Sequence, residues 1–294
     1  MRWSQRSAVG ILGLGIIGSR VAAVLRSKEF RVYVWNRSPK EEPNFLGSPG
    51  EVARSADVIQ VFVSDEAALT QTLDALVPAL GKNHTVLLHP TISPETVRAA
   101  AQRIAATGAS VLDAPFTGSR GAAEQGALVY FIGGEAATLN RVRTILAASS
   151  REIVPLGKVG DAAIFKVATN LITAATVQAL TEALALVRRA GADPALLEKA
   201  LAFNAARSGA VDLKLPKILS EDFTPHFSLR NMAKDMRIAT TMATAGAPDL
   251  PLLQLIRAKL DAGIDAGWGE EDFAVLARND ASPTPSPAPD AAAG

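Results

Sequence analysis

A chain of 294 residues, 48% hydrophobic and 20% charged, has material for two cores rather than one. Its formal net charge of +1 gives no electrostatic pull towards nucleic acid or an anionic membrane surface. With no cysteine and three widely separated histidines (His84, His89, His226), disulfides and thiolate chemistry are excluded, and a protein-built metal centre is not expected.

Arg2 and Arg6, followed by an apolar stretch, superficially match a secretory signal. The glycines within Ala8 to Ile17 stand at ordered intervals, however, and no convincing cleavage site follows, so the stretch reads as strand and turn. No apolar run approaches the roughly 20 residues needed to span a bilayer. A cytoplasmic protein with no membrane partner is expected.

Ala8 to Leu12 is a short continuous apolar run, as in a buried parallel strand. Gly13-Leu14-Gly15-Ile16-Ile17-Gly18 follows at once, and Ser19 to Leu25 then reads as a helix. Gly-x-Gly-x-x-Gly between strand and helix is the dinucleotide-binding fingerprint. Gly13 permits the tight turn, Gly15 lets backbone approach a pyrophosphate, and Gly18 lets helix and strand pack closely. The second strand, Arg31 to Trp35, ends in Asn36-Arg37-Ser38, where an NAD site would place an acid on the ribose 2′-hydroxyl. Arg37 can fork onto a 2′-phosphate, and Asn36 and Ser38 can donate to it, which predicts NADPH over NADH. Asn-Arg-Ser-Pro is also good turn chemistry, the competing reading.

Strand patterns continue at Val58 to Val63, Thr85 to Leu88, Ser110 to Leu112, Val129 to Ile132 and Arg151 to Val154, with helical patterns between. The alternation predicts a Rossmann-type doubly wound α/β domain over residues 1–157. Its ligand contacts belong to loops at the strands' carboxyl ends: Val63-Ser64-Asp65, Thr91-Ile92-Ser93-Pro94 and Phe116-Thr117-Gly118-Ser119-Arg120-Gly121. In the last, Thr117 and Ser119 flank a glycine, exposing amides and hydroxyls that could cradle a carboxylate.

From Ile164 to Arg189 the pattern is helical and apolar on most faces, which predicts a long interdomain helix buried on most faces. Lys166 and Asn170 stand four apart on it, neighbours on one face. Apolar neighbours around Lys166 are expected to lower its pKa from about 10.4. Gly191-Ala192-Asp193-Pro194 ends the helix, with Asp193 as the expected cap of the next. Shorter helices follow, broken at Ser208-Gly209, Pro225 and Gly246-Ala247-Pro248, so residues 158–280 form an all-α domain. The Ala/Ser/Pro-rich tail, 281–294, is expected to be disordered.

Five ordered segments together resemble the β-hydroxyacid dehydrogenase family, which includes 3-hydroxyisobutyrate dehydrogenases, tartronate semialdehyde reductases and glyoxylate/succinic semialdehyde reductases. They are the glycine fingerprint Gly13 to Gly18, the loop Asp113 to Ser119, and the stretch Lys158 to Asn170 with Gly160, Lys166 and Asn170 in register. Lys234-Asp235 and Gly267-Trp268-Gly269-Glu270-Glu271-Asp272 complete the set. Two departures stand out: the family's Ser-Gly-Gly is Thr117-Gly118-Ser119 here, and the Ser before Thr91 is Pro90. The loop form and the downstream Ala-Glu-x-Gly resemble the glyoxylate/succinic semialdehyde branch.

The resemblance implies Lys166 as catalytic lysine and Asn170 as its substrate-orienting partner. It implies Thr117, Gly118 and Ser119 on the substrate carboxylate, Thr91 on the nicotinamide side, and Lys234 on cofactor or substrate. It also implies NADPH as cofactor, a small aldehyde or hydroxyacid as substrate, and a homodimer or homotetramer packed through the long helix. The expected cofactor contacts are Gly13, Leu14, Gly15, Ile16, Ile17, Gly18, Asn36, Arg37, Ser38, Val63, Ser64, Thr91 and Lys234. Arg120 and Arg230 could each bind a second carboxylate or face solvent. Two other functions remain open: an imine reductase on the same fold, whose members commonly carry Asp or Tyr for the lysine, and a non-catalytic NADPH-binding interaction protein.

Overall fold

The computed structural model describes residues 8–243 and 249–278. The expected break at Gly246-Ala247-Pro248 and the tail 281–294 lie outside them. The chain divides into two compact units between Thr169 and Asn170, inside the long helix rather than at its start.

The first unit is built on a parallel sheet of β1 (Ala8–Leu12), β2 (Arg31–Trp35), β3 (Val58–Val61), β4 (Thr85–Leu88) and β5 (Ser110–Asp113), in the order β2-β1-β3-β4-β5. Crossovers run through α1 (Gly18–Ser27), α2 (Pro49–Ser55), α3 (Glu66–Leu76) and α4 (Pro94–Ala105). β3 and β4 are buried along their whole length, as strands covered on both faces must be. Because the order reverses direction at β1, the carboxyl ends of β1 and β3 flank the crevice where open α/β sheets bind ligands.

A second, three-stranded sheet was not expected as a separate one. It holds β6 (Phe116–Thr117), β7 (Leu128–Ile132) and β8 (Ser150–Pro155), with β6 antiparallel to β7 and β7 parallel to β8. A strand of two residues carries no periodicity, so in the sequence β6 is indistinguishable from the loop expected over Phe116 to Gly121. α5 (Arg120–Glu124) and α6 (Ala136–Ala148) complete the unit's connections. A bridge from Asp113 to Gly133 joins the two sheets.

The long helix α7 runs over Asp161–Arg189. Contrary to the expectation that no run would suffice, it is long and apolar enough to cross a membrane by length and composition alone. Interspersed polar residues had hidden this, since they leave the average apolar. Nor is it buried on most faces: Ile172 and Leu186 are 67% and 70% exposed. Buried Asn170, Gln178 and Thr181 lie on the same helix, an arrangement suited to a protein core rather than lipid.

The second unit is helical among the described residues: the rest of α7, α8 (Leu196–Leu201), α9 (Gly209–Leu219), α10 (Leu229–Ala243), α11 (Pro251–Asp265) and a 3₁₀ turn over Phe273–Arg278. Asp193 does not cap α8 as expected. Its Oδ1 instead accepts from Ala195 N in an Asx turn just before that helix, while Ser208 caps α9 through Val211 N.

Candidate active site

In the first unit the turn after β1 is shaped by close backbone approach. Gly13 has φ +99°, and a Cβ there would stand 2.0 Å from the Phe62 carbonyl oxygen; one on Gly18 would stand 2.0 Å from the Gly13 carbonyl oxygen. Gly15 differs. It is exposed, and a Cβ on it would meet nothing within 4 Å, so no protein atom demands glycine there. A pyrophosphate lying against the backbone would. α1 has no side-chain cap and no acid in its first turn, so nothing opposes an anion at its N-terminus. These residues fit a dinucleotide.

Asn36 adjoins that turn and makes two contacts within the protein. Its Oδ1 accepts from Leu14 N at 2.9 Å, and its Nδ2 donates to the Ser38 carbonyl at 2.8 Å. The amide therefore braces the glycine turn against the exit of β2, with a second Nδ2–H left over, beside exposed Arg37 and Ser38. Lys40, overlooked in the sequence, donates from Nζ to the Leu14 carbonyl at 2.6 Å and adds a cation beside the turn.

The other predicted loops leave the same end of the sheet. Val63 and Ser64 follow β3; Ser64 Oγ donates to Asp65 Oδ2, and Asp65 Oδ1 caps α3 through Ala68 N. Thr91 is half-buried after β4, and Thr117 and Gly118 are exposed beyond β5. Ser119 Oγ accepts from Ala122 N as the cap of α5. Arg120 faces solvent with its Nε on Glu124, which also holds Arg20.

A buried polar cluster supports these loops and carried no sequence signal. His89 is 1% exposed, stacked on Phe62 at 4.1 Å between ring centroids. Burial pulls its pKa down to about 3, against the raising effect of its hydrogen bond to the Ala114 carbonyl, so the ring stays neutral. Nδ1–H then donates to that carbonyl at 2.6 Å, and Nε2 must accept. Gln60 presents Oε1 to it at 3.0 Å and leaves its own buried Nε2 without a partner. Rotating the Gln60 amide by a half-turn satisfies both groups.

Lys166 stands on α7 at 9% exposure, between buried Ala163 and Val167. Lysine is almost never this enclosed unless it is paired. The start of its helix is held by Asp113, whose Oδ2 accepts from Gly160 N at 3.1 Å and Ala163 N at 3.0 Å. Burial pushes the Asp113 carboxyl up to about 7, against the lowering pull of the Ala163 and Gly160 amides; Asp161 adds a rise and Arg98 a fall. An unfolded Asp titrates near pH 3.9, so between about pH 4 and 7 only the folded chain keeps this proton. The stability this group contributes is complete below about pH 4 and is lost as pH rises through its folded pKa. The thermal midpoint should therefore fall more from pH 5 to pH 8 in the wild type than in Asp113→Asn, which cannot titrate; parallel pH profiles would refute this.

In the second unit Asn170 is 7% exposed and its Nδ2 donates to Asp235 Oδ2 at 2.6 Å. Asp235 was read only as part of a motif, yet it fixes which way the Asn170 amide faces. Lys234 Nζ lies 2.9 Å from Asp235 Oδ1, so lysine, carboxylate and amide form one chain of contacts. Arg230 is exposed and pairs with Glu270. In the same unit Lys214 and Asp272, 3% and 0% exposed, form a 2.6 Å ion pair, with Lys214 Nζ 4.3 Å from the centre of the Phe273 ring. Burial lowers the Lys214 pKa, and Asp272 opposes that. Among the described residues no group of three or more His, Asp or Glu could hold a metal ion.

A parallel sheet with this glycine turn at its crevice, followed by a helix carrying an enclosed lysine, defines an oxidoreductase that uses a nicotinamide dinucleotide. Comparison with known proteins narrows the class. Residues 8–157 match the family described as NAD binding domain of 6-phosphogluconate dehydrogenase, and residues 160–279 that described as NAD-binding of NADP-dependent 3-hydroxyisobutyrate dehydrogenase. The chain is 30% identical to 3-hydroxyisobutyrate dehydrogenase of Pseudomonas aeruginosa over 91% of this chain and 96% of that one. It is 29% identical to 2-hydroxy-3-oxopropionate reductase of Escherichia coli K12, over 83% and 86%. The structure of a Mycobacterium tuberculosis 3-hydroxyisobutyrate dehydrogenase with L-serine superposes with a TM-score of 0.86 at 23% identity, covering 94% of this chain and all of that one, a likeness of fold. The chain belongs to the β-hydroxyacid dehydrogenase family.

Proposed function

We propose that the protein reduces a small aldehyde or semialdehyde acid with NADPH, the reverse reaction being oxidation of a short-chain hydroxyacid, and that Lys166 is the general acid. The observation that carries this reading is Lys166 itself, a lysine at 9% exposure on the helix that closes the dinucleotide-binding unit. Bound NADPH would supply the hydride. Reduction leaves an alkoxide, and Lys166 Nζ donates the proton it needs and stabilises its developing charge. Asn170, held by Asp235, orients the substrate, and the exposed Thr117 and Gly118 of the β5 exit receive its carboxylate. Relatives named for small hydroxy- and oxo-acids support this substrate class.

The preference for NADPH rests on Arg37 and Ser38, with no acid at the end of β2 and Lys40 beside the glycine turn. NADPH and NADH oxidation should be followed against glyoxylate, succinic semialdehyde, tartronate semialdehyde, methylglyoxal and a cyclic imine. Turnover of an acid aldehyde with NADPH is expected. Arg37→Ala should raise KM for NADPH by about 10–100-fold, the value of a charge-assisted hydrogen bond, and leave KM for NADH unchanged. Turnover of the imine alone would sink the reading, and equal KM changes for both cofactors would sink the role of Arg37.

A further inference from the structure

The start of α7 is held from outside its own segment. Asp161, in its first turn, is committed to Lys158 N at 2.8 Å. The amides of Gly160 and Ala163 have no intrahelical acceptor available at a helix start, and both go to Asp113 Oδ2, from residues 47 and 50 positions upstream. Asp113 is itself held on both sides by backbone pairing. Its backbone exchanges two hydrogen bonds with Gly133, of 2.9 and 2.8 Å, at a bridge between the sheets. It also pairs in register with Leu88 of β4. The neighbouring Gly134 N donates to the Gly157 carbonyl at 2.8 Å, and a Cβ on Gly133 would stand 2.3 Å from the Lys158 carbonyl oxygen, so sheet and helix start are in backbone contact.

We infer that Asp113 is a positioning residue for the reaction: by gripping the first turn of α7 it sets the axial and rotational place of Lys166, the next residue along that face. Ala163 and Lys166 are three residues apart, neighbours on the helix surface and about 4.5 Å apart along its axis, so a shift at the grip is passed to the lysine nearly undamped. The inference rests on the reading of Lys166 as proton donor. One feature separates it from an ordinary cap: Asp113 Oδ1 is buried and accepts no hydrogen bond, so the carboxyl is retained at a site where it is half satisfied. A group kept under such strain is more readily explained by what it holds than by the stability it adds.

The test uses the full chain with Asp113→Asn, which keeps an acceptor oxygen on the two amides, and Asp113→Ala, which keeps none. Two quantities are read: kcat and KM for NADPH oxidation, and the pH dependence of trinitrobenzenesulfonate labelling of Lys166, located by mass spectrometry. For a misplaced catalytic group the expected loss in kcat is about 10-fold for Asn and about 100-fold for Ala, with KM for NADPH within about 2-fold. The midpoint of Lys166 labelling should move in Ala and return towards wild type in Asn. Unchanged kcat and unchanged labelling in folded Asp113→Ala would overturn the inference, as would failure of both variants to fold, which would make Asp113 a stability residue only. If the wild type reduces no aldehyde, the proposed function has failed, and the labelling midpoint alone decides the role of Asp113.

Discussion

Lys166→Ala should lower kcat by about 10²–10⁴-fold, the range general acid catalysis supplies, while Kd for NADPH changes by less than about 2-fold. The asymmetry follows from position. The contacts proposed for the dinucleotide lie mainly in the glycine turn and the loops after β2, β3 and β4, whereas Lys166 stands on α7. Alanine is the best helix former and Lys166 lies in the interior of α7, so the variant should fold. Fluorescence titration with NADPH and steady-state kinetics on the same preparation separate the two quantities. Retained turnover would remove Lys166 from the mechanism; lost NADPH binding would show that it serves the cofactor instead.

Asp272→Ala is expected to have the largest effect on stability. Asp272 Oδ2 accepts from His226 N and Phe227 N, at 2.9 and 3.2 Å, and its Oδ1 from Ala274 N and Lys214 Nζ, at 3.1 and 2.6 Å. Removing it strands a buried ammonium and three amides at once. Breaking a buried pair from one side costs about 3–5 kcal/mol, and at roughly 2–4 °C per kcal/mol for a chain of this order the melting temperature should fall by about 10 °C or more. Lys214→Met should cost clearly less, because Asp272 keeps its three amide donors and the methionine fills the space against Phe273. Calorimetry on the two variants would reveal the order, and equal losses would show that the amide contacts carry no weight.

Much of the architecture was legible because its signals are local. A buried strand, the glycine turn and a capped helix each follow from a few adjacent residues, so Gly13 to Gly18, the strands of the first sheet and the run of α7 could be placed from the chain alone. The spacing of Lys166 and Asn170 put them on one helix face by the same arithmetic. Exposure along α7 was misjudged, because periodicity reports which residues are apolar and not whether the fold supplies a neighbour for each face.

The sequence was enough to identify a dinucleotide-binding domain, a helical second half and a lysine and an asparagine on one face of the long helix, since those rest on residue type and near spacing. What the side chains hold could be learned only from the folded chain. Asp113 reaches α7 across 50 residues, Asn170 meets Asp235 across 65, and Lys214 meets Asp272 across 58. Asn36 binds Leu14 N through Oδ1 and the Ser38 carbonyl through one of its two Nδ2–H groups, a bracing role that its residue type does not disclose. Each of these pairings depends on the order of strands and the register of helices, and a hydrogen bond is directional and short, so nothing short of the folded backbone determines which donor an acceptor meets.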